Sequence, residues 1–288
     1  MGFSGADDLV NNITSGNYFL APFQRLINNA TNPGNWQTIE CLGGIGTGGA
    51  MTLTGSAGVG AALDSTTAGS LPQPTTDVSP STKHLITMSA QTNQVLTGFL
   101  VLTDLLYIYP SCVLTGTPTV FDNTAAKPAR FNSGIGAQCS AFLVATAGSS
   151  NTVLTMTYTN SVPTGSRTGY LTNPGMTPVG LGFHGITGST SNTCSPYMLL
   201  AQGDFGVNKL DSYVISSGGG TGAISFILHR PIATIPVTGS VAGVERDYVF
   251  QFPSLPKIDD AACLGLIFNT TNVPVSSSLY VELGCAWG

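Results

Sequence analysis

The chain has 288 residues, nine basic against 14 acidic, with a net charge of −5 and a pI near 4.9. Charged residues are 8% of the total against a usual share of about 25%, and 42% are hydrophobic, which excludes disorder driven by charge excess and leaves no basic footprint for a phosphate backbone. A chain this poor in charge either solvates itself with hydroxyl and amide groups or covers much of its surface in contacts, and the second reading predicts a homo-oligomer, a dimer or trimer.

With three Glu and four Lys in the whole chain and abundant Thr, Val, Gly and Pro, the composition predicts an all-β fold. The N-terminus is the exception. Ser4 can cap a short helix with Asp7 and Asp8 in its first turn, and Leu9, Val10 and Ile13 share its apolar face. A second short helix is predicted over Leu20 to Asn28, ended by Asn32, Pro33 and Gly34, so that residues 1–34 form a helical arm. Such an arm either packs on its own sheet or reaches a neighbouring subunit. Gly2 to Asp8 is small and acidic where a signal peptide needs a basic and then an apolar run. No apolar run reaches 18 residues, so no membrane span is predicted; the longest, Phe99 to Tyr109, is interrupted by Thr103 and Asp104.

Residues 35–288 read as an antiparallel β-sandwich or jelly roll, with a candidate break at the proline-rich stretch Ser70 to Lys83. Strands are expected at Trp36 to Leu42 and Ala50 to Thr54. Gly44, Gly46 and Gly49, with Asp64 further on, make a formal G-x-G-x-x-G match. A strand and more glycine follow where a dinucleotide site needs a helix N-terminus, so a Gly-rich hairpin is the better reading and no cofactor is expected. Further strands are predicted at His84–Ser89, Gln94–Leu102, Leu105–Tyr109, Gln138–Ala145, Thr152–Thr159, Tyr197–Ala201, Lys209–Ile215, Ile224–Leu228, Cys263–Asn269 and Leu279–Ala286. Between Thr152 and Thr159, Leu154, Met156 and Tyr158 alternate with Val153, Thr155 and Thr157, giving one apolar and one hydroxyl face. Thr164 to Thr193 reads as a long exposed loop.

The most informative stretch is Ala223 to Phe268. Two apolar runs enclose Pro231, Pro236, Pro253 and Pro256, which predict a long fixed loop, and seven of the 23 charged residues fall between Arg230 and Asp260. Glu245, Arg246 and Asp247 beside Tyr248, Phe250 and Phe252 have the makeup of a protein contact surface; an internal salt-bridged loop is the alternative.

Six cysteines, Cys41, Cys112, Cys139, Cys194, Cys263 and Cys285, contain no C-x-x-C pair and have no histidine at ligand spacing. They read as buried free thiols, and no metal site is expected. His84, His184 and His229 are dispersed, and His84 and His229 flank apolar strands as structural histidines do. A Ser-His-Asp triad can be assembled from distant positions, but no G-x-S-x-G sits between a strand and a helix. Glycan hydrolysis needs two carboxylates about 5–9.5 Å apart in a cleft; Glu245 with Asp247 is the best spaced pair, and it suits a salt-bridged loop as well. No catalytic residue is assigned, and with only Trp36 and Trp287 no glycan affinity is expected.

The runs RPIATIP and ERDYVFQFPSLPKIDDAACLG, the opening MGFSGADDLVNNI and the ending Trp287-Gly288 resemble a family of similar length encoded in tailed-bacteriophage genomes. TKHL at Thr82 to Leu85, the apolar run ending at Tyr109 and Pro110, and AQGDFGV at Ala201 to Val207 extend that resemblance over most of the chain. It implies a virion structural protein without catalytic residues: a decoration or cement subunit on the outer surface of the head, bound to the phage major capsid protein and assembled in the host cytoplasm. A host-recognition tail tip or spike that binds glycan, and a shell-forming jelly-roll capsid protein, are the alternatives. The expected interface residues are Leu9, Val10, Ile13, Glu245, Arg246, Asp247, Tyr248, Phe250 and Phe252, with neither nucleic acid nor membrane as partner.

Overall fold

The computed structural model describes residues 2–27, 36–39, 55–71, 73, 78–93, 97–114, 116–145, 152–173, 196–215, 222–238, 243–251, 255–270 and 277–288. In chain order these form α1 (Ala6–Thr14), β1 (Tyr18–Ile27), β2 (Trp36–Ile39), β3 (Ala61–Ala62), β4 (Lys83–Thr92), β5 (Thr97–Val113), β6 (Thr119–Val120), β7 (Gln138–Ala145), β8 (Thr152–Asn160) and β9 (Arg167–Asn173). Then follow β10 (Val207–Ile215), β11 (Ala223–Thr238), β12 (Val244–Asp247), α2 (Tyr248–Gln251), β13 (Lys257–Ile258), β14 (Cys263–Thr270) and β15 (Ser277–Trp287). Every strand pairing is antiparallel, and the fold is the all-β sandwich that the composition predicts.

A central sheet of order β2-β14-β5-β11-β7, with β3 beside β5, is flanked by two smaller sheets. The first flanking sheet is β1-β15-β4-β12 with β13 on β4, and the second is β6-β10-β8-β9. The central strands β5 and β11 are long enough to serve both. At one end Leu100, Leu102, Ile235 and Val237 pack on Phe23, Met88, Val281 and Leu283 of the first flanking sheet. At the other end Tyr107, Tyr109, Phe226 and Leu228 pack on Leu154, Met156, Leu210 and Tyr213 of the second.

The inward residues of β5 switch from even to odd numbers between Leu102 and Tyr107, and those of β11 from even to odd between Leu228 and Ala233. Register shifts on the β5–β11 ladder at these points insert an extra residue, Leu106 on one strand and Ile232 on the other. A one-residue bulge reverses the pleat. Both packed ends therefore lie on the same face of the central sheet, with a seam between the flanking sheets over Thr103–Leu105 and His229–Pro231. The opposite face buries Val101, Leu105, Ile108, Ile227 and Ile267 beneath Leu63.

Several expectations are corrected. Leu20 to Ile27 is not helical: Tyr18–Ile27 is a strand paired along its length with β15. Pro22 removes a helical donor, and Ala21 and Phe23 face the core while Leu20, Pro22 and Gln24 face out, a period of two. Only α1 of the predicted arm is helical among the described residues. Pro231 and Pro236 do not end the strand before them, because β11 continues to Thr238. β7 reaches only to His229, so among the described residues β11 is an edge strand beyond it, where proline is tolerated. The prolines stand opposite Thr103 and Phe99, four residues apart and so in one phase of the ladder. Val244–Asp247 and Tyr248–Gln251 are a strand and a short helix where a loop is predicted.

β5 runs unbroken from Thr97 through Thr103 and Asp104, and Arg167–Asn173 is a strand inside the predicted 164–193 loop. Leu199 makes a single bridge to Tyr170 and no strand. Ser70, Leu71, Gln73 and Lys83 of the expected linker are buried. On β8, Leu154, Met156 and Tyr158 face the core as predicted. Cys41, Cys194, His184, Gly44, Gly46, Gly49, the strand predicted at Ala50–Thr54 and the rest of the 164–193 loop beyond Asn173 lie outside the described residues.

Candidate functional site

The two segments singled out as contact surfaces meet in space. Leu9 of α1 is buried against Ile86 of β4 and Ala286 of β15, and Phe3 and Ile13 from the N-terminus join Val249 and Leu255 around the same cluster. Asp8 Oδ2 accepts hydrogen bonds from the backbone N (2.9 Å) and Oγ (3.1 Å) of Ser4. Ser4 thus donates to a first-turn carboxylate, where the sequence suggested it would accept from the helix. Asp247 Oδ1 accepts from Val249 N at 2.8 Å and holds α2 onto β12. Arg246 Nη1 donates to the Thr234 carbonyl at 2.7 Å.

From this joint platform Val10 (57% exposed) and Phe250 (85% exposed) project outward, and Glu245 is exposed on β12. The reading of Leu9 and Tyr248 as outward contacts is corrected: Leu9 packs on its own sheet, and Tyr248 is 2% exposed in the core beneath. Phe252 lies outside the described residues.

Beyond α1 no described element covers the outer face of the first flanking sheet. Pro22, Glu282, Ser89 and Glu245 stand side by side across β1, β15, β4 and β12, and the next row begins with Gln24, Tyr280 and Gln91. A groove of 420 Å³ runs over this face. Gln24 Nε2 donates to Tyr280 Oη at 3.3 Å. Burial, and after it the neighbouring Glu282 and Glu245 carboxylates, push the Tyr18 phenol upward.

Buried polar groups lie on both faces of the central sheet at the level of the seam, the first set on the face turned away from the flanking sheets. His229, fully buried, lies between Thr103 Oγ1 at 2.8 Å from Nδ1 and Ser140 Oγ at 2.8 Å from Nε2. Ser140 Oγ donates its proton to the Pro196 carbonyl (2.6 Å), so it accepts from Nε2–H, and Thr103 donates to Nδ1. The ring is neutral and satisfied, and burial pushes it down to about 3. This Ser-His-Thr chain has no carboxylate behind the imidazole and no exposed hydroxyl, so it is a structural bridge between β5, β7 and β11.

On the other face of β5, Asp104 accepts from Arg130 Nε at 3.1 and 3.3 Å and from Cys263 N at 3.1 Å. Burial pushes its carboxyl up to about 6 against the pull of Arg130. A cleft of 520 Å³ opens beside this pair, lined by the charged residues Arg130, Arg230, Lys257 and Asp259 and by the apolar residues Pro231, Ile232 and Pro256. Sequence reasoning passed over this place. The available signal was a Thr-Asp pair inside an otherwise apolar strand, because a charge there requires a buried partner.

The AQGDFGV run acquires a physical reading. Asp204, between strands, accepts from Arg167 Nε (3.0 Å), Arg167 Nη2 (3.1 Å), Asn160 Nδ2 (2.8 Å) and Tyr158 Oη. Burial opposes its ionisation, but these donors outweigh burial and hold the carboxyl down at about 2.

No family model, curated protein or solved structure matches the chain.

Proposed function

We propose that the chain is a non-enzymatic structural subunit of a tailed-phage particle, a decoration or cement protein on the outside of the head that self-associates and binds the major capsid protein. The observation that carries this reading is the convergence of α1 and the β12–α2 segment into one platform, with Val10 and Phe250 exposed at its surface. Charge supports it. Lys83 pairs inside with Asp260 at 3.0 Å and Arg130 with Asp104, while Arg230 is tethered to three backbone carbonyls, so the surface is poorer in freely solvated cations than the sequence alone implies. An aromatic anchor beside an exposed carboxylate suits a repeated contact, whose avidity across a shell turns weak single-site affinity into lasting occupancy.

The test is re-addition of purified chain to heads that lack it, with occupancy read by mass spectrometry. The parent binds at saturating, symmetry-related copy number, and a Val10→Asp, Phe250→Ala variant with an unchanged circular dichroism spectrum does not. Parent chain that remains in the supernatant overturns the reading.

Glycan recognition is the second reading, favoured by the groove over Tyr280, Gln24, Gln91 and Glu282, which pairs an aromatic ring with the amide and carboxylate groups that hold sugar hydroxyls. A glycan array showing binding that Tyr280→Ala abolishes would favour it over the first.

A further inference from the structure

We infer that the cleft in the seam is a binding site for a small organic carboxylate. Its volume of 520 Å³ falls among those of small-ligand sites, about 300–1,000 Å³. It gathers three of the chain's nine basic residues, Arg130, Arg230 and Lys257, in a protein whose net charge is −5.

The donor inventory determines the sign of the ligand. The Arg130 side chain is 5% exposed and lines the cleft. Its Nε is taken by Asp104, and its Nη2 by the carbonyls of Leu63 (2.5 Å) and Leu105 (3.2 Å), whereas Nη1 has no partner among the described residues. Arg230 is pinned through one hydrogen on each nitrogen, to the carbonyls of Ile135, Arg130 and Phe131 at 3.1 to 3.2 Å. One N–H on each of its terminal nitrogens is left over. Lys257 is exposed and makes no ion pair among the described residues.

Acceptors are scarcer. Both oxygens of Asp104 are occupied by Arg130 and Cys263 N, and Asp259 Oδ1 accepts from Ala261 N at 3.1 Å, which leaves Asp259 Oδ2 and the Asn132 amide oxygen against the N–H groups of Arg130, Arg230 and Lys257. Spare donors thus outnumber spare acceptors in a site where two cations are held rigidly by backbone carbonyls. Such a site favours an anionic acceptor, and fixed guanidinium donors match the geometry of a carboxylate. The lining also includes Pro231, Ile232, Pro256 and Ala262, which suit a short aliphatic body. An organic carboxylate satisfies both kinds of lining group.

The lining of this site shares no residue with the α1–α2 platform, and its test requires no phage particle. Titrating ¹⁵N-labelled chain with glutarate at pH 7 should give saturable shifts at the Lys257 and Asn132 amides and at the Arg130 and Arg230 Nε resonances. Glutaramide, the neutral isostere, should give none. Lys257→Ala should retain the fold and weaken glutarate roughly tenfold, the effect of losing one charge-assisted hydrogen bond. Shifts that stay linear in concentration overturn the inference, as do shifts elsewhere on the chain, equal affinity for glutaramide or an unchanged affinity in Lys257→Ala.

Discussion

Arg230 stands directly opposite Asp104 in the β5–β11 ladder, yet the Asp104 carboxylate is held by Arg130. Arg230 instead donates to the carbonyls of Arg130 and Phe131 and so fixes the turn that delivers Arg130. The seam is a relay in which one arginine positions another. Removing Arg130 leaves a buried carboxylate unpaired, so Arg130→Ala should cost about 3–5 kcal/mol in urea unfolding. Arg230→Ala removes hydrogen bonds to carbonyls without stranding a charge and should cost less, about 1–3 kcal/mol. The double variant Asp104→Leu, Arg130→Met should be more stable than Arg130→Ala alone. If Arg130→Ala is the milder of the two single variants, the relay has been assigned in the wrong order.

The acid limb of stability should have two parts. His229 is depressed from 6.5 to about 3 in the fold, so its contribution is full above pH 6.5 and is lost as pH falls toward 3. Asp104 is raised from 3.8 to about 6, so the fold binds its proton more tightly than the unfolded chain does, and stability from this group grows as pH falls from 6 to 3.8. The two slopes oppose each other over that window. Below 3.8 Asp104 adds nothing more, His229 still costs, and Asp204, held at about 2, begins to lose its hydrogen-bonded charge. Urea midpoints should therefore be nearly level between pH 6 and 4 and fall steeply below. In Asp104→Asn the opposing slope is gone, and the decline should start near pH 6.5. A parent curve that falls steadily from pH 6.5 would contradict this balance.

The sandwich was legible in the sequence because strand composition and period-two alternation are local properties; Leu154, Met156 and Tyr158 turn inward as their spacing predicts. What was not legible depended on the partner strand. Pro231 and Pro236 look like strand terminators until β7 is seen to stop at His229, leaving them on an edge among the described residues. Leu20 to Ile27 has apolar residues compatible with either period; Pro22 was the local sign against a helix, and pairing with β15 along its length selects the strand. In the contact segment Val244 and Tyr248 both face the core, so Tyr248 keeps the phase set by β12, whereas Phe250, which strand alternation would turn inward, is carried outward by α2.

Cys112, Cys139, Cys263 and Cys285 are free and buried, and burial raises all four thiols, three of them to about 12. With almost no thiolate at neutral pH they should resist iodoacetamide in the native protein and alkylate fully in denaturant. Peptide mass spectrometry after each treatment checks this. Native alkylation at any of the four would show that its strand opens.

The Ala201–Val207 segment offers a steric test. Gly136 N donates to the Phe205 carbonyl, Ser161 N to the Gly206 carbonyl and Val207 N to the Ala137 carbonyl, each at 3.0 Å, so three backbone bonds clamp three consecutive residues. This clamp and the Asp204 carboxylate hold Phe205 outward at 77% exposure. A Cβ on Gly206 would collide with the Gly134 carbonyl oxygen and lie 2.9 Å from Gly136 N, all backbone that cannot swing aside. Gly203 has a φ of +86 but open space around it. Gly203→Ala should therefore cost only the left-handed conformational penalty, about 1–2 kcal/mol. Gly206→Ala should cost more, because it must also break the clamp. Thermal unfolding of the two variants decides the matter: if Gly203→Ala is as damaging as Gly206→Ala, the segment is held by its turn conformation and not by the close approach of Gly206 to the Gly134–Ala137 backbone.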